Sequence, residues 1–426
     1  MKDQKNYQNN IDKKIREAKR ASFDVAQLNS VRKNKVLIDL AENLLNQSDK
    51  IIVANKADVH AARKAGKEES FIERLALDDG KIRAMAASLK QTAKFTDYVG
   101  QVIEEKKRPA GIIIKKVRVP LGLVAVIYES RPNVTIDAFS LAFKSANAVI
   151  LKGGREIRHT NRILIAIVKQ VLESHRINPG VVMDLSGLDK SAAGRLMINT
   201  DIECLIPRGG KSLIQSVRKN AKIPVIITGA SVVHTYVEAD ANLELAARVI
   251  LNAKTRRVFI CNALDVLLVN EKIYKKLLGL LEKDLGDKGV EIRADKLSYN
   301  YLKNLGYKKL KRAKAADFDT EFLDYILAVK AVKNLDEALA HIAKHSLGHS
   351  EAIITRSKEK AEKFFRTIDA ACLYLNTSTQ FSDGGEFGLG SEIGISTQKL
   401  HARGPFSHEA LTTYKYLVRS DGKIRK

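Results

Sequence analysis

One of the three cysteines in the sequence, Cys261, has neighbours that suit covalent chemistry. It follows a basic stretch, 254–257, and precedes an apolar run, 264–269, which predicts a buried strand. A thiol acts as a nucleophile in its thiolate form, and neighbouring cations favour that form. We therefore take Cys261 as the candidate nucleophile. Its apolar neighbours leave a second interpretation open, because a cysteine in such company is also typical of a small core residue.

The other two cysteines and a run of histidines are further candidates for nucleophilic or metal chemistry. Cys204 and Cys372 lie in strand-like apolar runs, so we predict buried thiols there and no disulfide framework. His341, His345 and His349 are four residues apart, a spacing that can bring two imidazoles to one zinc ion. The glutamate of an H-E-x-x-H motif is missing, so we predict surface histidines and no metal site.

The elements that would position these residues alternate regularly in the middle of the chain. We predict strands at 123–127, 148–151, 181–185, 204–206 and 224–227, and helices at 135–146, 161–174, 191–198 and 211–219. Strict alternation of strand and helix predicts a parallel, doubly wound sheet, which binds ligands at the carboxyl ends of its strands. Ser130, Lys152, Arg208 and Thr228 all fall at such ends. Their placement indicates a nucleotide cofactor.

The usual nucleotide-binding motifs are missing from the sequence. G-x-G-x-x-G does not occur, and the P-loop-like stretch 209–212 has Leu205 where its first glycine is required. We therefore disfavour an ATPase, and any dinucleotide must be held in another way.

The sequence pattern of the remaining residues predicts helices before this sheet and a second α/β domain after it. We predict helices within 1–30 and at 31–62, 82–94, 242–252, 273–285 and 336–343, and strands at 264–269, 326–332 and 372–376. The lysine-rich stretch 291–319 is predicted to be irregular, solvated surface. An exposed strand, 112–119, can pair with the β-prone tail, 411–419, to form an oligomerisation arm.

The overall composition limits the class of protein. A chain of 426 residues with 45% hydrophobic residues and 7 prolines predicts two folded domains. The apolar runs are too short to span a bilayer and the N-terminus is polar, so we expect a cytoplasmic protein without a membrane partner. The net charge of +24 is compatible with a nucleic-acid surface, with attraction of anionic small molecules or with a lysine-rich proteome. Because the basic residues are dispersed along the chain, we favour the last two explanations.

Several segments together resemble one family. They are 118–154 (RVPLGLVAV to ILKGG), 206–215 (IPRGGKSLIQ), 252–264 (NAKT to CNAL) and 374–415 (YLNTSTQFSDGGEFGLG to TTYK). In this order they are similar to the γ-glutamyl phosphate reductases of the aldehyde dehydrogenase superfamily. The resemblance implies an α/β, aldehyde dehydrogenase-like fold. Its parts are a doubly wound cofactor-binding domain (1–106 and 125–230), a smaller α/β catalytic domain (231–385) and a β-arm for oligomerisation (107–124 and 405–420).

The resemblance also implies an activity, the NADPH-dependent reduction of L-glutamyl 5-phosphate to L-glutamate 5-semialdehyde in proline biosynthesis, with NADP and phosphate as the other products. Cys261 matches the nucleophile, which forms a thioester. Ser130 or Asn133 would supply an oxyanion donor beside the backbone N–H of Cys261. The implied partners are this small-molecule substrate, further copies of the chain and glutamate 5-kinase.

Most of the candidate cofactor residues follow from the same resemblance. Lys152 matches a lysine that reaches the adenosine ribose. Gly209 and Gly210 match glycines beside the pyrophosphate, at the start of a helix where backbone N–H groups attract anions. Glu321 matches a glutamate that holds the nicotinamide ribose.

The chain departs from the family just before Thr228, a further candidate cofactor residue. Ile227 stands where the family usually has a glutamate. Without that carboxylate no base activates water on the thioester, which argues against hydrolytic aldehyde oxidation. Residues next to Cys261 differ as well. Two alternatives therefore stay open: another acylating aldehyde dehydrogenase, for example one that uses coenzyme A, and a catalytically degenerate relative that binds polyanions.

Overall fold

The computed structural model describes residues 2–229 and 231–425. The α-helices are α1 (Lys2–Val25), α2 (Ser30–Asn46), α3 (Ser48–Lys64), α4 (Glu69–Leu75), α5 (Asp79–Lys94), α6 (Asn133–Lys144), α7 (Arg158–Ser174), α8 (Lys190–Leu196), α9 (Lys211–Asn220), α10 (Leu243–Thr255), α11 (Tyr274–Asp287), α12 (Lys296–Asn304), α13 (Leu335–His345) and α14 (Lys358–Thr367). The strands are β1 (Val102–Lys107), β2 (Ile113–Pro120), β3 (Leu123–Tyr128), β4 (Ala148–Lys152), β5 (Val182–Asp184), β6 (Cys204–Arg208), β7 (His234–Val237), β8 (Val266–Asn270), β9 (Glu291–Ala294), β10 (Leu310–Arg312), β11 (Ile326–Val332), β12 (Ser350–Ile354), β13 (Cys372–Leu375), β14 (Gly394–Ser396), β15 (Gly404–Phe406) and β16 (Thr412–Arg419).

The chain divides into two compact units. Unit 1 consists of Met1–Thr228, Gly388–Gly394 and Phe406–Lys426, and unit 2 consists of Gly229–Phe387 and Ile395–Pro405. The predicted boundary between the cofactor-binding and catalytic domains falls at Ala230, which lies outside the described residues. The functional roles assigned to the predicted domains stay a prediction.

Unit 1 is built around a parallel sheet in the order β5-β4-β3-β6. Every residue of β3 is buried, because its sequence, LVAVIY, is apolar on both faces of the strand. Ile11 and Ile15 of α1 pack on this sheet, and α6 and α7 also contact its strands. The predicted strand at 224–227 is reduced to a single bridge between Leu205 and Val225. It begins with a proline, which has no N–H to donate to a neighbouring strand.

Unit 1 also contains an antiparallel sheet of β1, β2 and β16, here called the arm. The register of β2 and β16 runs from Pro120 opposite Thr412 to Ile113 opposite Arg419. This confirms the predicted pairing of the exposed strand with the tail. The sequence analysis missed β1, because four consecutive charged residues in VIEEKK conceal its strand character, and all of its residues are exposed.

Unit 2 is built around a second parallel sheet, in the order β10-β9-β11-β8-β7-β12-β13. The sequence analysis predicted β8, β11 and β13 but missed β7 and β12. Each of the missed strands carries a buried polar side chain, His234 in β7 and Glu351 in β12. The two side chains pair with each other, with 3.1 Å between Nδ1 and Oε2. Their polarity interrupts the apolar pattern from which a strand is predicted.

The prediction that 291–319 forms irregular surface is wrong. The segment contains β9, α12 and β10, and Ile292, Ala294 and Leu302 are buried. Alternate residues of β9 face the core, so a few apolar side chains among many lysines suffice to form the strand.

The prediction of surface histidines is also wrong for two of the three residues. His341 and His349 are buried, with 7% and 1% of their surface exposed. His341 packs edge-on against the ring of Phe318, with 5.1 Å between the ring centroids. Burial lowers the pKa of His341 to about 3 and that of His349 to about 4, so both imidazoles are neutral at pH 7. Among the described residues, no group of three potential ligands is placed to hold a metal ion.

The two remaining cysteines lie where the sequence predicts. Cys204 and Cys372 are buried, as predicted, and burial raises the pKa of Cys204 to about 12. None of the helices in the described ranges is both long enough and apolar enough to cross a bilayer.

One buried side chain, Asn147, fastens the arm to the parallel sheet of unit 1. It lies just before β4 and is fully buried. Its Oδ1 accepts a hydrogen bond from the N–H of Gly122, between β2 and β3, over 2.7 Å. Its Nδ2 donates to the carbonyl oxygen of Leu411, just before β16, over 2.9 Å. The amide thus fixes both points where arm strands meet the sheet.

Replacing Asn147 with alanine should lower the free energy of unfolding by about 2–3 kcal/mol, because two backbone groups in buried surroundings lose a partner. Urea unfolding followed by circular dichroism measures the change. Asn220→Ala is the matched control, since Asn220 is exposed and bonds Ser216 within its own helix. We expect the control to change the free energy by less than about 0.5 kcal/mol. Equal losses in the two variants would contradict the anchoring role.

Candidate active site

A buried hydrogen-bond network joins the carboxyl ends of β3, β4 and β5 in unit 1. The hydroxyl of Tyr128, the last residue of β3, lies 2.8 Å from Oγ1 of Thr135 and accepts from Nδ2 of Asn161 over 2.7 Å. The same Nδ2 donates to Oγ of Ser186 over 2.7 Å, and this Oγ accepts from the N–H of Gly153 over 3.0 Å. Burial raises the pKa of Tyr128, so its phenol stays neutral. The network fixes the strand ends on which the candidate cofactor residues lie.

Lys152 ends β4 and lies beside this network. It is buried, and its Nζ donates to the carbonyl oxygen of Gly153 over 3.0 Å. Burial lowers the pKa of its ammonium group, partly offset by the carboxylates of Asp184 and Glu156. A Cβ atom at Gly153 would lie 2.8 Å from Oγ of Ser186, so this position leaves no room for a side chain.

The turn between β6 and α9 presents backbone N–H groups to an anion. The N–H of Gly210 donates to Oε2 of Glu129 over 3.0 Å, at the N-terminus of α9. A Cβ atom at Gly209 would lie 2.7 Å from the carboxyl carbon of Glu129, so glycine lets the carboxylate approach the backbone closely. The carboxylate of Glu129 thus fills the anion position at this helix end.

Ser130 and Asn133 form hydrogen bonds with acidic side chains of unit 1. Ser130 has a φ of 41°, in the left-handed region that residues other than glycine rarely adopt. Its N–H and its hydroxyl both donate to Oε1 of Glu156, over 3.1 and 2.9 Å, which holds this conformation. Asn133 is exposed at the start of α6, and its Nδ2 donates to Asp137 over 3.1 Å.

Thr228 lies beside the end of β6. Its Oγ1 donates to the carbonyl oxygen of Pro207 over 2.7 Å. Unit 1 therefore brings together Ser130, Lys152, Arg208 and Thr228 at the carboxyl edge of one sheet, as predicted from their positions at strand ends.

Cys261 lies in unit 2, in the loop between α10 and β8, where it is half-buried and not in a disulfide. Lys254, part of the predicted basic approach, is fully buried, and its Nζ donates to the carbonyl oxygen of Leu264 over 2.9 Å. This lysine therefore supports the loop from within. Arg256 and Arg257 are exposed and supply the positive charge at the surface of the same segment.

Ser231 connects Cys261 with Glu321. Its buried hydroxyl group donates to the carbonyl oxygen of Cys261 and lies 3.2 Å from Oε1 of Glu321. The structure thus places the candidate nucleophile and a candidate cofactor residue within reach of one side chain.

Asp265 is the buried charge that holds these loops in place. Its Oδ1 accepts from the N–H of Phe322 over 3.0 Å, and its Oδ2 accepts from the N–H of Val233 over 3.1 Å. Burial raises its pKa to about 6, against the opposing effect of Lys254, whose own pKa burial lowers to about 8. At pH 7 both groups are therefore charged. One carboxylate ties together the segments that contain Ser231, Cys261 and Glu321.

A turn after β13 also holds the Cys261 loop. Nε2 of Gln380 donates to the carbonyl oxygens of Ala253 and Arg257, over 2.9 and 3.0 Å. Nδ2 of Asn262 donates to the carbonyl oxygen of Ser382 over 2.9 Å. The residue next to Cys261 is thereby fixed, which limits the positions that the thiol can reach.

Sequence analysis missed Glu129, Ser231, Asp265 and Gln380. Asp265 could have been identified from the sequence, because a carboxylate at the start of an apolar run is costly to bury unless it has hydrogen-bond partners. The other three gave none, since their roles depend on backbone groups that are distant in sequence.

Comparison with known proteins identifies the class to which this geometry belongs. The sequence matches the model of the aldehyde dehydrogenase family over residues 2–291 and 314–398. The chain belongs to that family, whose members are oxidoreductases that use a nicotinamide cofactor.

Its relatives define the branch within the family. A γ-glutamyl phosphate reductase of Carboxydothermus hydrogenoformans is 47% identical over 96% of this chain and 98% of that protein. The crystal structure of γ-glutamyl phosphate reductase from Thermotoga maritima has a TM-score of 0.94 at 40% identity, covering 98% of this chain and 100% of that one. The chain is thus a member of the γ-glutamyl phosphate reductase branch.

A more distant structure bears on the fold alone. The glyceraldehyde-3-phosphate dehydrogenase of Methanocaldococcus jannaschii, complexed with NADP, has a TM-score of 0.69 at 16% identity, covering 97% of this chain and 95% of that one. Together with the family match, these structures confirm the predicted aldehyde dehydrogenase-like fold.

Replacing Asp265 with asparagine should lower the free energy of unfolding at pH 7 by about 1–3 kcal/mol, because the amide offers one acceptor where the carboxylate offers two. The raised pKa of Asp265 adds a pH dependence. The folded state keeps the proton that the unfolded state loses above pH 3.8, so this contribution to stability declines as the pH rises from 3.8 to about 6. The stability advantage of the natural chain over D265N should therefore shrink across that window.

Urea unfolding at several pH values between 4 and 7 measures both effects. Asp287→Asn is the matched control, because Asp287 is exposed on α11, where it pairs with Lys283. Its difference from the natural chain should stay nearly constant over the same window. An advantage over D265N that grows with pH would contradict the proposed burial of the charged carboxylate.

Proposed function

We propose that this chain reduces L-glutamyl 5-phosphate to L-glutamate 5-semialdehyde, with NADPH as the reductant and phosphate as the leaving group. This is the second step of proline biosynthesis. The observation that carries the proposal is the near full-length similarity to γ-glutamyl phosphate reductases, at 47% identity. The half-buried position of Cys261 in a well-fixed loop supports it.

Cys261 is the proposed nucleophile. Its thiolate attacks the acyl carbon of the substrate, the carbon–oxygen bond to phosphate breaks, and a thioester forms. Of the three cysteines, Cys261 suits this role, because the buried positions of Cys204 and Cys372 exclude an external substrate. The exposed Arg256 and Arg257 bring positive charge to this segment, which suits a doubly charged phosphate.

The oxyanion that forms at the acyl carbon needs hydrogen-bond donors. The backbone N–H of Cys261 is the proposed first donor, and the side chain of Ser130 or Asn133 is the proposed second. The bonds of Ser130 to Glu156 and of Asn133 to Asp137 must be exchanged for this role. The strained backbone of Ser130 is consistent with a residue whose conformation changes in use.

The residues of unit 1 suit a dinucleotide. The N–H of Gly210 already binds an anionic group, the carboxylate of Glu129, and the glycine at 209 lets that group approach the backbone closely. Lys152 would hold the adenosine ribose, Gly209 and Gly210 the pyrophosphate, Thr228 the adjoining part of the cofactor, and Glu321 the nicotinamide ribose. When bound, NADPH supplies the hydride that reduces the thioester to the aldehyde.

We do not expect hydrolysis of the proposed thioester. Ile227 is apolar and buried where many relatives have a glutamate, so this position cannot activate water. The thioester is left for reduction, or for attack by phosphate in the reverse direction.

The arm and the substrate suggest two kinds of partner. We propose that β1, β2 and β16 form an oligomerisation arm between copies of the chain, as edge strands commonly do. The cofactor-binding domain would then comprise 1–106 and 125–230, and the catalytic domain 231–385. The kinase that makes the acyl phosphate, glutamate 5-kinase, is the proposed supplier of substrate.

The activity is tested in reverse by following NADPH formation from NADP, pyrroline-5-carboxylate and phosphate. We expect a signal that depends on phosphate and falls at least about 1,000-fold in Cys261→Ser, because the nucleophile is lost. Cys204→Ala is the matched control and should retain activity. A signal with coenzyme A in place of phosphate would instead identify another acylating dehydrogenase, and a silent, well-folded protein would refute both.

Glu129→Gln should bind NADPH about three- to tenfold more tightly, because a neutral amide competes less with a phosphate for the N–H of Gly210. Fluorescence titration of NADPH measures the dissociation constant. Glu173→Gln, on the exposed face of α7, removes an equal charge elsewhere and should leave the constant unchanged. Unchanged or weaker binding in the Glu129 variant would argue against a pyrophosphate at this turn.

A further inference from the structure

The segment 288–314 of unit 2 carries positive charge for which the proposed reaction has no use. It contains nine lysines and arginines but only two acidic residues. The match to the aldehyde dehydrogenase family covers residues up to 291 and resumes at 314, so most of this segment lies outside the region that the family model describes. The family match therefore gives no reason for this positive charge, and the reason must be sought in the structure of the segment.

Part of the segment lines a cavity of about 560 Å³. The cavity lies at the amino-terminal ends of β9, β10 and β11, and its lining includes Lys288, Lys308, Lys309, Lys311, Glu291 and Asp324. Its volume is within the range of small-molecule sites in proteins. The lysines come from two separate stretches of chain, one after α11 and one that leads into β10, and they converge on one space.

The carboxylate of Glu291 does not cancel this charge. Glu291 pairs with Lys311 over 2.7 Å and with Arg293 over 2.8 Å, so it is already neutralised by two cations. These bonds lower the pKa of Glu291, with the bond to Lys311 as the largest cause. Lys309 donates to the carbonyl oxygen of Gly289 over 3.1 Å, a neutral acceptor that leaves the positive charge uncompensated.

Lys288 and Lys308 are the two cations that remain available to a ligand. In the part of the chain that the structure describes, neither side chain forms an ion pair, and both are exposed. Asp324 is the remaining carboxylate of the lining, and its Oδ1 accepts from the N–H of Tyr325 over 2.7 Å. Three lysines thus outnumber one carboxylate in the cavity.

Protection of an exposed strand edge accounts for only some of these residues. β10 is the edge strand of its sheet, and lysine or arginine on such a strand prevents pairing with other chains. Lys311 and Arg312 lie within β10 and provide this protection. Lys288 and Lys308 lie outside the strand, so edge protection does not explain why they line the cavity.

We propose that this cavity binds a small anion that carries adjacent phosphate groups. Lysine ammonium groups bind phosphate as point charges from several directions, whereas a single carboxylate would leave most of them without a partner. The half-exposed ring of Tyr325, in the same lining, offers an apolar face to the rest of such a ligand. None of the residues assigned to the nucleophile and the cofactor lines this cavity.

Isothermal titration with inorganic tripolyphosphate tests the proposal on the full chain. Saturating NADP is present throughout, so that the proposed cofactor site is not available to the probe. We expect one tripolyphosphate per chain, with an affinity that declines as salt is added. The double variant Lys288→Ser/Lys308→Ser should bind at least about tenfold more weakly, because both available cations are lost.

The matched control is Lys276→Ser/Lys358→Ser, which removes the same charge from exposed helix positions of the same unit. It should bind tripolyphosphate within about twofold of the natural chain. Thermal unfolding and NADPH-dependent activity should be alike in all three proteins, which separates this site from the proposed reaction. No saturable binding to the natural chain, or equal weakening in both double variants, would overturn the proposal.

Discussion

The arrangement around Cys261 depends on one buried carboxylate. Asp265 has no freedom to turn away, because both of its oxygens accept from backbone N–H groups of neighbouring segments. Its cost of burial is partly offset by those bonds and by the charge of Lys254. Three loops that are far apart in sequence are therefore held by a single group. Such an arrangement is rigid, since each loop would lose its bond to a buried charge if it moved alone.

In unit 1, buried polar side chains hold the carboxyl ends of the strands in place. The network of Tyr128, Asn161 and Ser186 supplies rigidity from behind the edge of the sheet. Gly153 and Gly209 allow this close packing, because a Cβ atom at either position would collide with neighbouring side chains. The acidic side chains of Glu129 and Glu156 occupy the donors there. They satisfy N–H groups that would otherwise be costly to leave without acceptors.

The sequence was most informative where the pattern of apolar residues is local and regular. Strands such as β3 and β4 and the pairing of the arm with the tail were predictable, because alternation or complete burial is visible in a few residues. β7 and β12 were not, since His234 and Glu351 satisfy each other across the sheet and each looks like a surface residue alone. The same limit applies to the site. Cys261 and Lys152 could be named from motifs, but Ser231 and Gln380 act through backbone groups distant in sequence.

The pairing of β2 with β16 also constrains how the chain is made. Nearly 300 residues separate the two strands, so at ordinary rates of translation β2 leaves the ribosome roughly 15–60 s before its partner. During that interval its edge is open to other nascent chains. Lys115, Lys116 and Arg118 lie along β2 and make that edge repel copies of itself. We therefore expect the basic side chains of the finished arm to disfavour aggregation during synthesis as well.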